Sequence, residues 1–180
     1  MIDGLLNPIQ NLPDNRLFLI VVVLLMARIR RITTANRFLI GLINLIGTFF
    51  HELAHYLVGW LLLARPSGFS VWPKAKLGGG LVLGSVSFAN LRFYNALPTA
   101  LAPLLLVILA YYIDQEFFIL IQQAPLSYLI YIFIMVILLE NAIPSSTDLK
   151  VAFSQWGGTL FYLLITTLYF FWDELARFFI

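Results

Sequence analysis

From residue 38 to residue 64 the chain runs for 27 residues in which Glu52 is the one side chain charged at neutral pH. Coiled as an α-helix, such a run is about 40 Å long, whereas the hydrocarbon layer of a bilayer is about 30 Å thick. Few folds accept an element of this kind: it crosses a membrane with some tilt, or other helices enclose it on every side. The rest of the chain decides between these. Hydrophobic side chains make up 61% of the 180 residues and charged ones 11%, with a mean hydropathy of +0.92. A soluble domain of this size has too little interior to hide so much apolar surface. The chain therefore reads as an all-α integral membrane protein.

At about 20 residues per crossing there is room for about five transmembrane helices, with a range of four to six, and for no appended soluble domain. Residues 1–37 read as a lead-in containing Pro8 and Pro13 and a first apolar helix over 17–29, 38–172 as the membrane-embedded core, and 173–180 as a tail of the same single domain. Within the core, spans are expected over 38–64, 95–113, 126–140 (or 117–140) and 151–172. Pro98 and Pro103 should kink the second of these, with Asp114 and Glu116 marking an interface beyond it. Between the first two, residues 65–94 lose the helical pattern at Pro66, Gly68, Pro73 and Gly78-Gly79-Gly80. The β-like runs 69–72 and 81–88 predict a short β-hairpin or re-entrant loop there. Unpaired backbone cannot face lipid, so this segment belongs at the interface or against protein.

The N-terminus lacks the pattern of a cleavable signal peptide, and the absence of cysteine removes disulfides, thiolate ligands and a thiol nucleophile together. The net charge of +2 is small and the basic residues flank apolar segments, as topology signals do. The lipid bilayer is the expected partner and nucleic acid is not. Arg28, Arg30, Arg31, Arg37 and Arg177 fall on one side, and Arg16, Arg65, Lys74, Lys76, Arg92 and Lys150 on the other. That near balance leaves orientation open.

The only two histidines stand four apart, in His51-Glu52-Leu53-Ala54-His55. On a helix they share a face, so both imidazoles can reach one metal, while Glu52, rotated by about 100°, reaches a water beside it. Gly41, Asn44, Thr48, His51, His55 and Gly59 form one small or polar stripe, which should face protein and not lipid. A catalytic zinc takes three protein ligands and keeps one position for water. The candidates for the third are Glu140, Asp148, Asp114, Glu116, Asp173 and Glu174. Asp148 is the best placed, because it ends the 141–148 segment, where Pro144 and three hydroxyl residues interrupt the helical pattern. Such breaks at membrane depth line functional cavities. If spans alternate in direction, this segment emerges on the same side as the end of the motif helix. The plain alternatives are that the His-Glu-His trio is a packing network, and that Asp148 caps the helix that follows it.

With His51, Glu52 and His55 on one helix and Asn141, Pro144 and Asp148 on a later one, the chain resembles the site-2 protease family of intramembrane zinc metalloproteases, over about residues 38–165. Leu149-Lys150 stands where the family commonly has glycine, and Ala102-Pro103 where Gly-Pro is usual. The resemblance implies one zinc held by His51, His55 and Asp148, with Glu52 as general base for the attacking water. It implies a helper role for Asn141, donating a hydrogen bond to the oxyanion or to substrate backbone. The implied substrate is a transmembrane segment of another protein, cleaved at a site nearer the cytoplasmic side of a bacterial-type cell membrane. A helical substrate must unwind to expose its carbonyls, and a hairpin edge over 81–88 could hold the extended chain. Two other functions stay open: a catalytically silent relative acting as an interaction or assembly factor, and a zinc peptidase acting on a peptide presented at the interface.

Overall fold

The motif run folds as helix α1 (Leu45–Leu61), and its two faces differ as the stripe requires. Asn44, Thr48, Glu52, His55 and Gly59 turn inward, while Ile46, Phe49, Leu57, Trp60 and Leu61 stand exposed. The computed structural model describes residues 21–23, 25–26, 44–75, 81–122 and 124–172, of which 21–23 and 25–26 are helical. The arginine cluster at 28–37, the 78–80 glycines, Gly41 and the 173–180 tail lie outside the described residues.

Helix α1 ends through left-handed backbone at Leu63 (φ 59°) and Arg65 (φ 54°), a conformation glycine would adopt without strain. The carbonyls that this unwinding frees are taken up by two asparagines. Asn90 Nδ2 donates to the Leu63 carbonyl at 3.0 Å, and Asn95 Nδ2 donates to Leu62 at 3.2 Å and to Asn90 at 3.1 Å. Asn95 Oδ1 accepts from the Arg92 amide at 2.7 Å, and the residue is 0% exposed. It ties the end of α1 to the segment that enters the next helix.

The expected hairpin is present. Strand β1 (Pro66–Ser70) pairs antiparallel with β4 (Ser85–Phe88), with an irregularity between Pro66 and Gly68, and β2 (Lys74–Ala75) pairs antiparallel with β3 (Leu81–Val82) nested inside them. Strands β1 and β4 both lie against α1, and the Phe88 ring fills the space left open at Gly59.

Five more α-helices complete the described chain: α2 (Ala96–Ala100), α3 (Leu105–Leu120), α4 (Pro125–Asn141), α5 (Ser146–Ser154) and α6 (Trp156–Phe170). A 3-10 turn over Ala102–Leu104 joins α2 to α3, where the two prolines were expected to bend the span. Two boundaries differ from expectation. Helix α3 continues past Asp114 and Glu116 to Leu120, because the Asp114 carboxylate is engaged within the bundle: Tyr131 Oη donates to it at 2.5 Å and Gln115 Nε2 at 3.1 Å. The expected 151–172 span is two helices, α5 and α6, broken at Gln155. Beside the break, Gly158 lets the backbone of Phe93 approach so closely that a Cβ there would collide with it.

Leu106, Ala110, Leu138 and Ala142 form a small core between α3 and α4, with Phe50 of α1 packed on it. Elsewhere the buried apolar residues are mostly alanines, whereas leucine, isoleucine, phenylalanine and tryptophan crowd the exposed surface. Of the expected spans, the described residues hold one helix long and apolar enough to cross a membrane, Ala102–Leu120. There is a second if Pro125–Asn141 and Ser146–Ser154, bent by 44°, count as one; Trp156–Phe170 is shorter.

Candidate metal centre

The i, i+4 spacing on α1 stacks the two imidazoles with ring centroids 4.8 Å apart and their Nε2 atoms 3.2 Å apart. Each ring is held from behind by a backbone carbonyl. His51 Nδ1 donates to the Asn141 carbonyl at the end of α4, and His55 Nδ1 donates to the Thr99 carbonyl in α2, both at 2.7 Å. A carbonyl can only accept, so Nδ1 carries the proton in both rings, and a neutral imidazole then presents Nε2 as a bare lone pair.

Facing those lone pairs is Asp148, brought over by the 142–145 break between α4 and α5. Its Oδ2 lies 3.4 Å from His51 Nε2 and its Oδ1 lies 3.3 Å from His55 Nε2. The helix start that carries it is a capping box. Ser145 Oγ accepts from the Asp148 amide at 3.2 Å and Asp148 Oδ2 accepts from the Ser145 amide at 2.6 Å. Asp148 therefore does cap the helix that follows it, and meets both imidazoles as well.

Two nitrogen lone pairs and a carboxylate converging at 3.2 to 3.4 Å repel one another unless a proton or cation lies among them. Ligands at about 2.0–2.1 Å from a tetrahedral zinc stand about 3.3 Å apart, so the donor set and its spacing fit that ion. His51, His55 and Asp148 are the one group of three or more potential metal ligands among the described residues. Of the other candidates, Asp114 is engaged on α3 with Tyr131 and Gln115, Glu116 is exposed, and Asp173 and Glu174 lie outside the described residues. Glu140 lines the same cavity as the triad.

Glu52 is 7% exposed and sits beneath Gly84, which leads into β4. A Cβ at Gly84 would lie 2.7 Å from Glu52 Oε1 and 2.6 Å from Thr48 Cγ2, so only glycine lets this strand pass so close to the carboxylate. A cavity of about 670 Å³ lies over the site, walled by β4 through Val86 and Phe88, by Thr99 and by Ile143. The Asn141 side chain packs where Gly47 leaves room, and its Nδ2 donates to the Ile137 carbonyl at 2.8 Å. Its visible contribution to the centre is its backbone carbonyl.

Thr99, Asn95 and Gly84 build this site and carry no motif. Thr99 acts through backbone, which side-chain patterns do not report; the signal open to a sequence reading was the pair of prolines that breaks its helix. No family model, curated protein or solved structure matches the chain.

Proposed function

We propose that the chain is an intramembrane zinc endopeptidase of the site-2 protease type, hydrolysing a peptide bond in or near a transmembrane segment of another membrane protein. The observation that carries this is the convergence of His51 Nε2, His55 Nε2 and the Asp148 carboxylate at 3.2 to 3.4 Å, with a buried glutamate on the same helix. The membrane setting is supported by the distribution of side chains: alanine is the commonest buried apolar residue, while many large apolar side chains stand exposed, an arrangement costly in water and usual for helices packed in lipid.

Zinc, when bound by those three groups, supplies a Lewis acid for a water molecule and for the scissile carbonyl. Glu52, shielded from bulk solvent by Gly84 and Thr48, takes the proton of the attacking water and returns it to the departing amine. The Asn141 and Thr99 carbonyls hold the imidazoles still while the substrate changes charge. Strand β4 pairs with β1 on one side only among the described residues and walls the cavity. An unwound substrate can add to it as a further strand, which would satisfy the backbone groups that unwinding exposes. The family resemblance puts this hairpin on the cytoplasmic side.

The test is the zinc content of detergent-purified wild type, Asp148→Ala and Glu52→Gln, with cleavage of membrane-protein substrates measured in parallel. Wild type and Glu52→Gln are expected to hold one zinc per chain, Asp148→Ala to lose it, and Glu52→Gln to cleave nothing. Wild type purified without chelator and free of zinc would sink the reading in favour of a packing network.

A further inference from the structure

A proline has no N–H, so a carbonyl four residues before it lacks the donor a continuing helix would supply. In the stretch 94–103 two carbonyls stand in that position, and each accepts from a side chain of a different helix. The Tyr94 carbonyl, four before Pro98, accepts from Tyr162 Oη at 2.5 Å. The Thr99 carbonyl, four before Pro103, accepts from His55 Nδ1 at 2.7 Å. A third carbonyl is freed by a variation on the same rule. Asn141 stands three before Pro144, and the residue four on, Ser145, has its amide committed to Asp148 Oδ2 at 2.6 Å; the Asn141 carbonyl accepts from His51 Nδ1 at 2.7 Å.

We infer that Pro103 and Pro144 are positioning residues of the metal centre: each keeps one backbone carbonyl free to hold one imidazole, with Nδ1 protonated and Nε2 turned to the shared point. The inference rests on the zinc reading given above. At Pro103 the chain passes from α2 through the 3-10 turn into α3 with little interruption, so an amide at 103 would close an ordinary helical bond onto Thr99. Thr99 is 0% exposed, so no bulk water competes for its carbonyl; the competition is between His55 and whatever donor stands at 103. At Pro144 the chain is leaving a helix, where a 3-10 bond from residue 144 to Asn141 is the common way to close the last turn. Proline forbids it. The two halves of the site therefore use one device: a broken helix whose proline transfers a carbonyl from the backbone to a ligand.

Pro98 provides the internal control, since it frees a carbonyl in the same part of the chain for Tyr162 and not for a ligand. Pro98→Ala, Pro103→Ala and Pro144→Ala would be purified in detergent beside wild type. Zinc affinity is measured by chelator competition, and the ligand field by the visible spectrum of the Co²⁺-loaded protein. Loss of a partner to a metal-bound histidine typically weakens metal binding by about tenfold to a hundredfold, so Pro103→Ala and Pro144→Ala should fall in that range with altered Co²⁺ bands, while Pro98→Ala stays within about twofold of wild type. Wild-type affinity and spectrum in both Pro103→Ala and Pro144→Ala would overturn the inference while leaving the zinc reading intact, as would equal weakening in Pro98→Ala. Failure of wild type itself to take up either metal would overturn the zinc reading and this inference with it. Because the two prolines act on different imidazoles from different helices, either variant alone carries the test if the other does not fold.

Discussion

One carboxylate oxygen, Asp148 Oδ2, accepts from the Ser145 amide at 2.6 Å and faces His51 Nε2 at 3.4 Å. The capping box aims the side chain of Asp148, so the proposed third ligand is held by helix formation and not by a metal alone. The two roles come apart by substitution. Asp148→Asn keeps an acceptor for the Ser145 amide but loses the negative charge, so zinc content should drop with helical circular dichroism unchanged. Ser145→Ala removes only the hydroxyl of the cap and should cost about 1 kcal/mol of stability with zinc retained. Zinc retained in Asp148→Asn at wild-type affinity would leave Asp148 as a cap and nothing more. At this scale the centre was legible where side-chain identity states the chemistry. The spacing of His51 and His55 and the break at Pro144 pointed to the convergence of His51, His55 and Asp148. Thr99 was not legible, and Asn141 was read for its amide whereas the structure uses its carbonyl for His51, because every residue has a carbonyl and only tertiary packing selects which one is spent.

Among the elements, the hairpin does the most to shape the cavity, and Gly84 is where it comes nearest to the chemistry. A methyl group there meets Glu52 Oε1 at 2.7 Å and Thr48 Cγ2 at 2.6 Å, so Gly84→Ala must displace the strand or the side chains of Glu52 and Thr48, and Glu52 is the proposed general base. The expected result is a fall in turnover of at least about tenfold, since a positioned general base contributes about a hundredfold or more, with zinc content unchanged. Normal turnover in Gly84→Ala would mean that the strand and Glu52 move apart freely. The hairpin itself was readable from its glycines and prolines and from the β-branched and aromatic runs beside them. The far end of α3 was not. Asp114 looks like a boundary in sequence, yet Tyr131 Oη, 17 residues away, donates to its carboxylate and lets the helix continue to Leu120. The break between α5 and α6 was missed for a related reason: Gly158 marks a close approach of the Phe93 backbone, a contact that local pattern does not contain.

At the scale of the whole molecule, alanine is the commonest buried apolar residue and many large apolar side chains stand exposed, so apolar burial of the kind that works in water gives these helices little to hold them together. In the proposed lipid setting the large side chains would lose nothing by staying outside, and association would rest on close packing of alanine and glycine and on the hydrogen bonds between helices. The site is where those bonds are densest: it joins α1 to α2 through Thr99, to α4 through Asn141 and to α5 through Asp148. A metal held there by residues 51, 55 and 148 is, topologically, a removable staple between distant parts of the chain. An ion that binds only the folded state adds stability that grows by about 1.4 kcal/mol for each tenfold rise in its free concentration above the dissociation constant. The midpoint of thermal unfolding in detergent should therefore climb with the logarithm of free zinc in wild type and stay flat in Asp148→Asn. The persistence of the folded chain would then be set by the surrounding pool of free metal as much as by its own sequence.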